Sequence, residues 1–597
     1  MSTYIAPLQD MRFVLDALAG LPEVAALPGY EEVTPDVVGA ILQEAARFAA
    51  EVLAPLNTVG DRHGSRLEGG RVVTPPGFRD AYRRFVDAGW NGLDADPRFG
   101  GQGLPQLVAK PVHEMWKSAN LAFSLCPMLT AAAVKAIQAH GSQAQQEAFL
   151  PKLVSGEWTG TMNLTEPQAG SDLSAVRTRA LPQGDHYRIR GTKIFITWGE
   201  HDLAENIVHM VLARLPDAPE GVKGISLFIV PKFLVNRDGT LGPRNDVQAV
   251  SLEHKMGIHA SPTAVMAYGE NEGAVGYLVG EPHRGLEYMF TMMNNARLAV
   301  GLEGVAIAER ATQQAVAYAK ERVQGRPAGR TSEARMPIIH HPDVRRMLMS
   351  MKAQVEAMRA LAYFASGLLD RAERHPDPTT RRQAQALVDL LTPVVKGWCT
   401  EQSVEVASTG IQVHGGMGYI EETGACQFLR DARITPIYEG TTGIQANDLV
   451  GRKLVRDGGA TAMAFIQRMR ADATALAGLG DGELTSVAQG LAQGLDCLEE
   501  ASRWLLRVHP ERPAAAAAGS VPYLKLFGWV AGGWLLAKAA MAAGQRLQDP
   551  QADEAWYRTK RVTARFYAEH CLPQTQALGQ AITRGADSVL ALDTSAF

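Results

Sequence analysis

The feature of this sequence that most constrains its fold is a double change in the spacing of its apolar residues. From about residue 36 to 156, apolar side chains recur every three or four positions, as in PDVVGAILQEAARFAAEVLAPLN, which predicts helices. Residues 157 to 280 instead contain short β-branched and aromatic runs such as YRIRGTKIFIT, which turns separate and which predict strands. The helical spacing returns near Gly285 and persists to about Arg456. The sequence therefore predicts a helical domain, a β domain and a second helical domain.

A further helical block follows an Asp-Gly-Gly turn. It is interrupted by the stretch HPERPAAAAAGSVP, which we interpret as a loop. Two polar stretches, RLPDAPEGVKG and VQGRPAGRTSEARMP, are also predicted to be surface loops. The predicted fold class is mainly α with a central β domain and an appended C-terminal helical domain. The predicted parts are an N-terminal extension, an N-terminal helical domain, a middle β domain, a helical domain and the appended domain, with bounds 1–35, 36–156, 157–280, 281–456 and 460–591.

Charge, cysteine content and hydropathy exclude several functions. The 597 residues include 59 Lys and Arg against 63 Asp and Glu, so no overall positive field attracts nucleic acid. The five cysteines form no C-x-x-C pair, which favours a reducing compartment, and the first twenty residues lack the order of a secretory signal. The most apolar stretch, Leu526 to Ala537, has 12 residues, whereas a spanning helix needs about 20. We expect a cytoplasmic protein that has no metal, no nucleic-acid partner and no transmembrane segment. We expect the stretch from Leu526 to Ala537 to be a buried helix, with a membrane-surface patch as the alternative.

Three segments contain residues suited to a flat, polar ligand. TMNLTEPQAGSDLSAVRT places Gly170 and Ser171 in a turn where backbone N–H and hydroxyl groups can meet a ligand. KIFITWGEHD places Phe195, Thr197 and Trp198 at the end of an apolar strand, where an aromatic ring can stack. GIQVHGGMGYIEETG contains glycines that would admit a pyrophosphate, although it lacks the setting of a dinucleotide fingerprint. Each segment alone is also typical of an ordinary turn or core strand.

The fourth segment, ITPIYEGTTGIQANDLVGRK, contains a candidate base. Glu439 follows the apolar Ile437 and Tyr438 and precedes a Gly-Thr-Thr turn whose hydroxyls can cap the next helix. A carboxylate that is half-buried among apolar groups has its pKa raised, as a general base near neutral pH requires. Without the other segments, Glu439 is equally typical of a surface carboxylate.

The four segments occur in this order across a helical, β, helical arrangement, and together they resemble the acyl-CoA dehydrogenase family of flavoenzymes over about residues 40 to 455. TEPQAGSD and IYEGTTGIQ are the sharpest matches. The opening residues, the GEHD after Thr197 and the appended domain look like the roughly 600-residue subgroup named for 3-methylmercaptopropionyl-CoA dehydrogenase. The resemblance implies FAD-dependent α,β-dehydrogenation of an acyl-CoA thioester to the trans-2-enoyl-CoA.

The resemblance also implies which residues bind FAD. Thr165 and Thr197 would hydrogen-bond to the edge of the flavin ring, and Arg322 would meet the FAD phosphates. The segment from Gln412 to Gly416 would reach the FAD of a neighbouring subunit. The residues so assigned are Met162, Leu164, Thr165, Gly170, Ser171, Phe195, Ile196, Thr197, Arg322, Gln412, Val413, Gly415, Gly416, Thr441 and Thr442.

The resemblance further implies the catalytic and substrate residues. Some family members place the catalytic glutamate immediately before an arginine, where this chain has Ala296, and an alanine cannot remove a proton. The base is therefore assigned to Glu439, with flavin N5 as the hydride acceptor. The residues assigned to the substrate are Ser171, Asn294, Arg297 and Gly440, and Asn294 stands where the family commonly has an aspartate.

The family also implies partners. These are electron-transfer flavoprotein as the electron acceptor and a second copy of the chain, since the appended domain can cover the surface through which four-subunit relatives pair their dimers. The expected substrate is 3-methylmercaptopropionyl-CoA or a short- to medium-chain fatty acyl-CoA. Two alternatives stay open, a long-chain acyl-CoA dehydrogenase of β-oxidation and an oxidase that uses oxygen. A nucleic-acid-binding relative is disfavoured because residues 456–597 contain 14 basic and 14 acidic residues.

Overall fold

The computed structural model describes residues 4–329 and 335–597, so residues 330–334 of the predicted loop VQGRPAGRTSEARMP lie outside the described residues. The chain divides into two compact units. The first, which we call the β unit, consists of Arg47–Leu104 and Ala119–Ala299. The second, the helical unit, consists of Met1–Ala46, Pro105–Ser118 and Val300–Phe597.

An eight-stranded sheet forms the centre of the β unit. Its strand order is Val247–Leu252, Thr263–Tyr268, His186–Thr197, Ala274–Leu278, Ile225–Pro231, Asn206–Arg214 and Trp158–Asn163, and Arg179–Gln183 pairs with both His186–Thr197 and Asn206–Arg214. Neighbours are antiparallel except that Asn206–Arg214 runs parallel to Trp158–Asn163 and to Arg179–Gln183. Ile225–Pro231 and Asn206–Arg214 are buried almost throughout, which explains why their sequences are mostly apolar.

Helices cover one face of this sheet. Leu121–His140 and Gln143–Ser155 pack against it through a core that includes Ile137, Leu150 and Trp158. Further elements of this unit are the π-helical turn Ala49–Leu53, the helices Ala54–His63 and Phe78–Asp87, and the hairpins Arg66–Glu68 with Arg71–Val73 and Phe233–Val235 with Leu241–Arg244. The hairpins escape sequence analysis because three- and four-residue strands are too short to show a period of two.

Long helices make up the helical unit. Its elements before the appended part are Leu8–Phe13, Val14–Ala19, Leu21–Ala25, Pro35–Phe48, Gln106–Ala119, Gly285–Glu321, Pro342–Arg374, Pro378–His414, Ala425–Ala432, Thr442–Asn447 and Asp448–Leu454. Val14–Ala19 and Asp448–Leu454 are π-helical, and Gly285–Glu321 begins in the β unit. The appended helices are Ala460–Ala477, Gly482–Val508, Pro513–Ala518, Ser520–Arg546, Glu554–His570, Gln574–Arg584 and Ala586–Val589.

The predicted fold class, helical, β, helical and appended helical, is confirmed. The interpretation of HPERPAAAAAGSVP as a loop is wrong, because Pro513–Ala518 is a helix and Ser520 begins the next one. Alanine has the highest helix propensity, and Pro513 occupies the first helical position, where its missing N–H costs nothing. An alanine run next to two prolines is therefore a helix start.

The two most apolar helices are mostly buried within the fold. Leu121–His140 and Ser520–Arg546 are long and apolar enough to cross a membrane, but 72% and 83% of their apolar windows are buried. Every residue from Leu526 to Ala537 is buried. The expectation of a buried bundle helix in this stretch is confirmed.

A buried charge cluster joins distant segments of the helical unit. Arg359 is 1% exposed and donates hydrogen bonds to Glu114 and Glu309 at 2.6 Å and to Asp10 at 2.5 Å. Asp10 also pairs with Lys560 of the appended helices. Removing one partner from such a cluster typically costs about 3 to 5 kcal/mol, so the cluster fixes the N-terminal extension and the appended helices to the long helices.

The packing of the appended helices predicts the effect of two matched substitutions. Gly528 lies against the ring of Trp398, which an added Cβ would overlap, whereas Gly544 on the same helix faces open space. We expect Gly528→Ala to lower the free energy of unfolding by about 2 kcal/mol because the site is overpacked. Gly544→Ala should raise it by up to about 1 kcal/mol through helix propensity. Thermal unfolding compares the two variants, and equal stabilities would contradict this packing.

Candidate functional site

The two segments predicted to line the flavin lie side by side in the β unit. The backbone N–H of Ile194 donates to the carbonyl of Thr165 at 2.9 Å, and Lys193 Nζ donates to the carbonyl of Leu164 at 2.9 Å. Met162 lies at the end of the strand Trp158–Asn163, from which this loop departs. The structure therefore brings the predicted residues of both segments together.

A buried carboxylate that sequence analysis missed holds this loop. Glu166 accepts hydrogen bonds from Lys193 Nζ at 2.8 Å, from the backbone N–H of Arg177 at 2.7 Å and from the Thr178 hydroxyl at 2.6 Å. Burial opposes ionisation, but Lys193 and these donors lower the pKa of Glu166 to about 2. This glutamate belongs to the motif TEPQAGSD, in which it had no predicted role in ligand binding. That lack of a ligand role was the available sign that it has a structural one.

The open side of the two segments has the surface that a planar polar group needs. Phe195 is 57% exposed and has a left-handed φ of 59°, a conformation that costs a non-glycine residue about 1 to 3 kcal/mol. Gly170 and Ser171 are exposed, and no atom lies within 4 Å of a Cβ placed on Gly170. Trp198, in contrast, is fully buried and donates its indole N–H to the carbonyl of Ala122. Of the two aromatic residues predicted near a planar ring, Phe195 is exposed and Trp198 is not.

Two of the predicted substrate residues lie on the first part of the helix Gly285–Glu321, within the β unit. Asn294 is exposed and Arg297 is buried, three positions apart and thus on neighbouring faces of the helix. Ala296 is fully buried, so its position is a packing position. The alternative glutamate site of the family is therefore part of the core here.

The residues assigned to the FAD phosphates and to a neighbouring FAD share one end of the helical unit. Arg322 follows the helix Gly285–Glu321, whose Tyr318 stacks on His414 with ring centroids 4.5 Å apart. Gly415, with a φ of 60°, and Gly416 are exposed, and no atom lies within 4 Å of a Cβ added to either. The backbone at both glycines is therefore open to the close approach of another group.

Glu439 occupies a strained turn in the helical unit. Its φ is 56° and that of Gly440 is 88°. Lys396 Nζ donates to the carbonyl of Gly440 at 2.7 Å, and Gln445 Nε2 donates to the carbonyl of Glu439 at 3.1 Å. Glu439 is half-buried, so part of this residue remains accessible.

A second buried ion pair lies next to this turn. Tyr438 donates its hydroxyl to Glu303 Oε2 at 2.5 Å, and Lys117 Nζ lies 3.5 Å from Glu303 Oε1. Glu303 is fully buried, and burial raises its pKa against the opposing effect of Lys117. Burial likewise lowers the pKa of Lys117. Sequence analysis did not identify either residue.

The two threonines after Glu439 have different roles. The hydroxyl of Thr441 accepts a hydrogen bond from the backbone N–H of Ile444, which confirms the predicted helix cap. Thr442 is buried and donates its hydroxyl to Glu401 at 2.6 Å. Both threonines therefore stiffen the turn that bears Glu439.

These observations fit a flavin dinucleotide. The β unit contains Thr165, Thr197 and the exposed ring of Phe195, and the helical unit contains the exposed Gly415 and Gly416. A cavity of about 680 Å³ in the helical unit has residues 6–10, Glu309, Arg359 and Trp556 in its lining, and none of the predicted site residues lines it. Among residues 4–329 and 335–597, no group of three metal-ligating side chains was found.

Comparison with known protein families gives four matches in chain order. The N-terminal, middle and C-terminal domains of acyl-CoA dehydrogenase match residues 38–157, 161–269 and 283–454. A domain described as acetyl-CoA dehydrogenase C-terminal like matches residues 462–593.

Individual proteins are similar over nearly the whole chain. A 3-methylmercaptopropionyl-CoA dehydrogenase of Ruegeria pomeroyi is 51% identical over 98% of this chain and 99% of its own length. A broad-specificity linear acyl-CoA dehydrogenase of Mycobacterium tuberculosis is 34% identical over 100% of both chains. The solved structure of a Bacillus anthracis acyl-CoA dehydrogenase complexed with FAD shares the fold, with a TM-score of 0.73, 19% identity and coverage of 98% of this chain and 92% of that one.

The buried ion pair of Glu166 with Lys193 predicts that removing this carboxylate destabilises the protein in a pH-dependent way. Glu166→Gln should lower the free energy of unfolding by about 2 kcal/mol at pH 7, because Lys193 loses its buried counter-charge. The folded-state pKa of about 2 lies below the ordinary value of 4.5, so this contribution is complete above about pH 4.5 and is lost as the pH falls toward 2. Thermal unfolding at pH 7 and pH 4 measures the difference in stability between wild type and Glu166→Gln. This difference should be smaller at pH 4, and the exposed Glu205→Gln serves as the control. An equal difference in stability at both pH values would contradict an ionised Glu166 paired with Lys193.

Proposed function

The chain belongs to the acyl-CoA dehydrogenase family, and from this premise we propose that Glu439 is the base that removes the α-proton of an acyl-CoA thioester. The chain is an FAD-dependent oxidoreductase that acts on acyl-CoA, so the resemblance found in the sequence is confirmed. The observation that carries the proposal is the strained, half-buried Glu439 turn, together with the buried Ala296 at the alternative position.

In the proposed mechanism the chain holds the thioester and accepts one proton. The Glu439 carboxylate takes the α-proton, and its backbone N–H donates to the thioester oxygen, where negative charge develops. A preorganised donor of this kind is worth about 3 to 4 kcal/mol. When bound, FAD supplies N5, which accepts the β-hydrogen as a hydride. Ser171, Asn294, Arg297 and Gly440 hold the CoA and acyl parts.

The assignment of the cofactor residues is part of the same proposal. Thr165 and Thr197 bind the edge of the flavin ring, and Phe195 covers it. Arg322 binds phosphate, and the segment from Gln412 to Gly416 reaches the FAD of a second copy. The proposed domains keep the bounds 36–156, 157–280, 281–456 and 460–591, after an extension of 35 residues.

The proposed setting is a cytoplasmic homodimer that passes electrons to electron-transfer flavoprotein. Family membership supports this acceptor, and the long appended helical domain supports a dimer because it can cover a surface used for further assembly. The alternative, an oxidase, would release hydrogen peroxide in each turnover.

The proposed substrate is 3-methylmercaptopropionyl-CoA. Its support is the Ruegeria pomeroyi enzyme of that name, which is 51% identical over 98% of this chain. The second candidate is a series of linear fatty acyl-CoA thioesters, which the name of the Mycobacterium tuberculosis relative favours.

Replacing the proposed base tests the central assignment. Glu439→Gln keeps the shape of the side chain and loses its basicity, so the variant should fold, remain yellow and fail to reduce its flavin with acyl-CoA. Anaerobic mixing with substrate in a stopped-flow spectrometer measures the bleaching of the flavin.

The exposed Glu405→Gln, on the helix that also contains Lys396, serves as the control and should bleach at the wild-type rate. Bleaching of Glu439→Gln at that rate would refute the assignment. Loss of the yellow colour would make Glu439 a structural residue.

A chain-length series tests the substrate. The thioether sulfur of the methylthio substrate replaces one methylene, and one methylene in an apolar pocket is worth about 1 to 3 kcal/mol. We therefore expect kcat/KM for butanoyl-CoA within about a hundredfold of that for the methylthio substrate, and lower values for octanoyl- and palmitoyl-CoA. A palmitoyl-CoA value more than about a hundredfold above the short-chain values would identify a long-chain enzyme.

A further inference from the structure

The turn that presents Glu439 is held at two points by buried side chains that the mechanism above does not use. On its N-terminal side, Tyr438 donates to Glu303 at 2.5 Å. On its C-terminal side, Lys396 donates to the carbonyl of Gly440 at 2.7 Å. Glu303 and Lys396 are both fully buried. Glu439 thus sits between two fixed neighbours.

We propose that Glu303 and Lys396 are positioning residues that hold Glu439 in its left-handed conformation, an inference that rests on Glu439 being the base. A left-handed glutamate is disfavoured and persists only where its surroundings impose it. Glu303 imposes it by anchoring the preceding side chain, and Lys396 imposes it by binding the following carbonyl. Glu303 thus acts through Tyr438, and Lys396 acts through Gly440.

The direction of the Glu439 backbone and the position of its carboxylate depend on the same φ angle. If the turn relaxes to a right-handed conformation, the N–H aimed at the thioester and the carboxylate aimed at the α-carbon both move away. Activity then falls in proportion to the fraction of molecules in the competent conformation. Binding of CoA changes little, because three of the four proposed substrate residues, Ser171, Asn294 and Arg297, lie outside this turn.

Lys117 completes the anchor by keeping Glu303 paired. Its Nζ lies 3.5 Å from Glu303 Oε1, on the oxygen that Tyr438 does not use. One carboxylate therefore serves two donors, and Tyr438 meets an acceptor that is already fixed.

The chain offers a matched control for a lost buried tyrosine hydroxyl. Tyr363 is fully buried and donates to Glu114 at 2.7 Å in the Arg359 cluster, as Tyr438 donates to Glu303. Both hydroxyl-to-carboxylate bonds lie in the helical unit, but none of the hydrogen bonds of Tyr363 reaches the Glu439 turn. Removing either hydroxyl should cost similar stability. Only removal of the Tyr438 hydroxyl should also slow catalysis.

The test compares three holoenzyme variants by stopped-flow flavin reduction over a range of concentrations of the best acyl-CoA from the chain-length series. Tyr438→Phe and Lys396→Met should each lower the limiting rate of flavin reduction about tenfold or more, with the half-saturating concentration within about twofold of wild type. Tyr363→Phe should reduce its flavin within about twofold of the wild-type rate, although its melting temperature falls as much as that of Tyr438→Phe. Lys396→Met carries the test if Tyr438→Phe does not fold.

Two results would overturn the inference. One is a wild-type rate in the folded test variants, and the other is an equal loss of rate in Tyr363→Phe, which would show a general effect of destabilisation. Glu439→Gln in the same assay distinguishes failure of the base assignment from failure of the positioning inference. If it is inactive while the test variants keep the wild-type rate, the base assignment stands and the positioning inference fails. If it retains the wild-type rate, the base assignment fails and the inference fails with it.

Discussion

Buried charge in the helical unit has to be paired, and this requirement fixes how its segments pack. The guanidinium of Arg359 cannot leave its place without stranding Glu114 in an apolar interior, and both are almost completely buried. Asp10 adds the N-terminal extension to the same cluster, and through Lys560 it adds the appended helices. Because each charge restricts its partner, segments hundreds of residues apart are held in one arrangement.

The same requirement acts next to the proposed base. Glu303 is tolerated in the interior because Lys117 and the Tyr438 hydroxyl supply partners. In return, Glu303 fixes the residue that precedes the strained Glu439. A pair that contributes little net stability can thus determine the geometry of a turn, since each buried component depends on hydrogen-bond partners that the interior holds in place.

Much of the fold could be predicted from the sequence, because each period of apolar residues reports which faces are buried. The cap at Thr441 and the exposed glycines at 415 and 416 were also predictable, since their chemistry is local. The pairs Glu166 with Lys193 and Glu303 with Tyr438 were not, because they join residues 27 and 135 positions apart and no local pattern specifies such a partner. The left-handed turn at Phe195 was missed for a related reason, since tertiary contacts rather than propensity impose it.

The charges around the Glu439 turn also suit a reaction in which a carboxylate becomes neutral while its substrate becomes more negative. Lys117 and Glu303 sum to zero whether the pair is ionic or has exchanged its proton, and burial favours the neutral forms of both. The pair therefore adds no net charge next to the turn, where Lys396 lies fully buried and donates to the carbonyl of Gly440. In the proposed reaction, uptake of the α-proton by Glu439 leaves negative charge on the thioester oxygen, and the hydrogen bond from Lys396 to the Gly440 carbonyl keeps the Glu439 N–H, the proposed donor to that oxygen, in place.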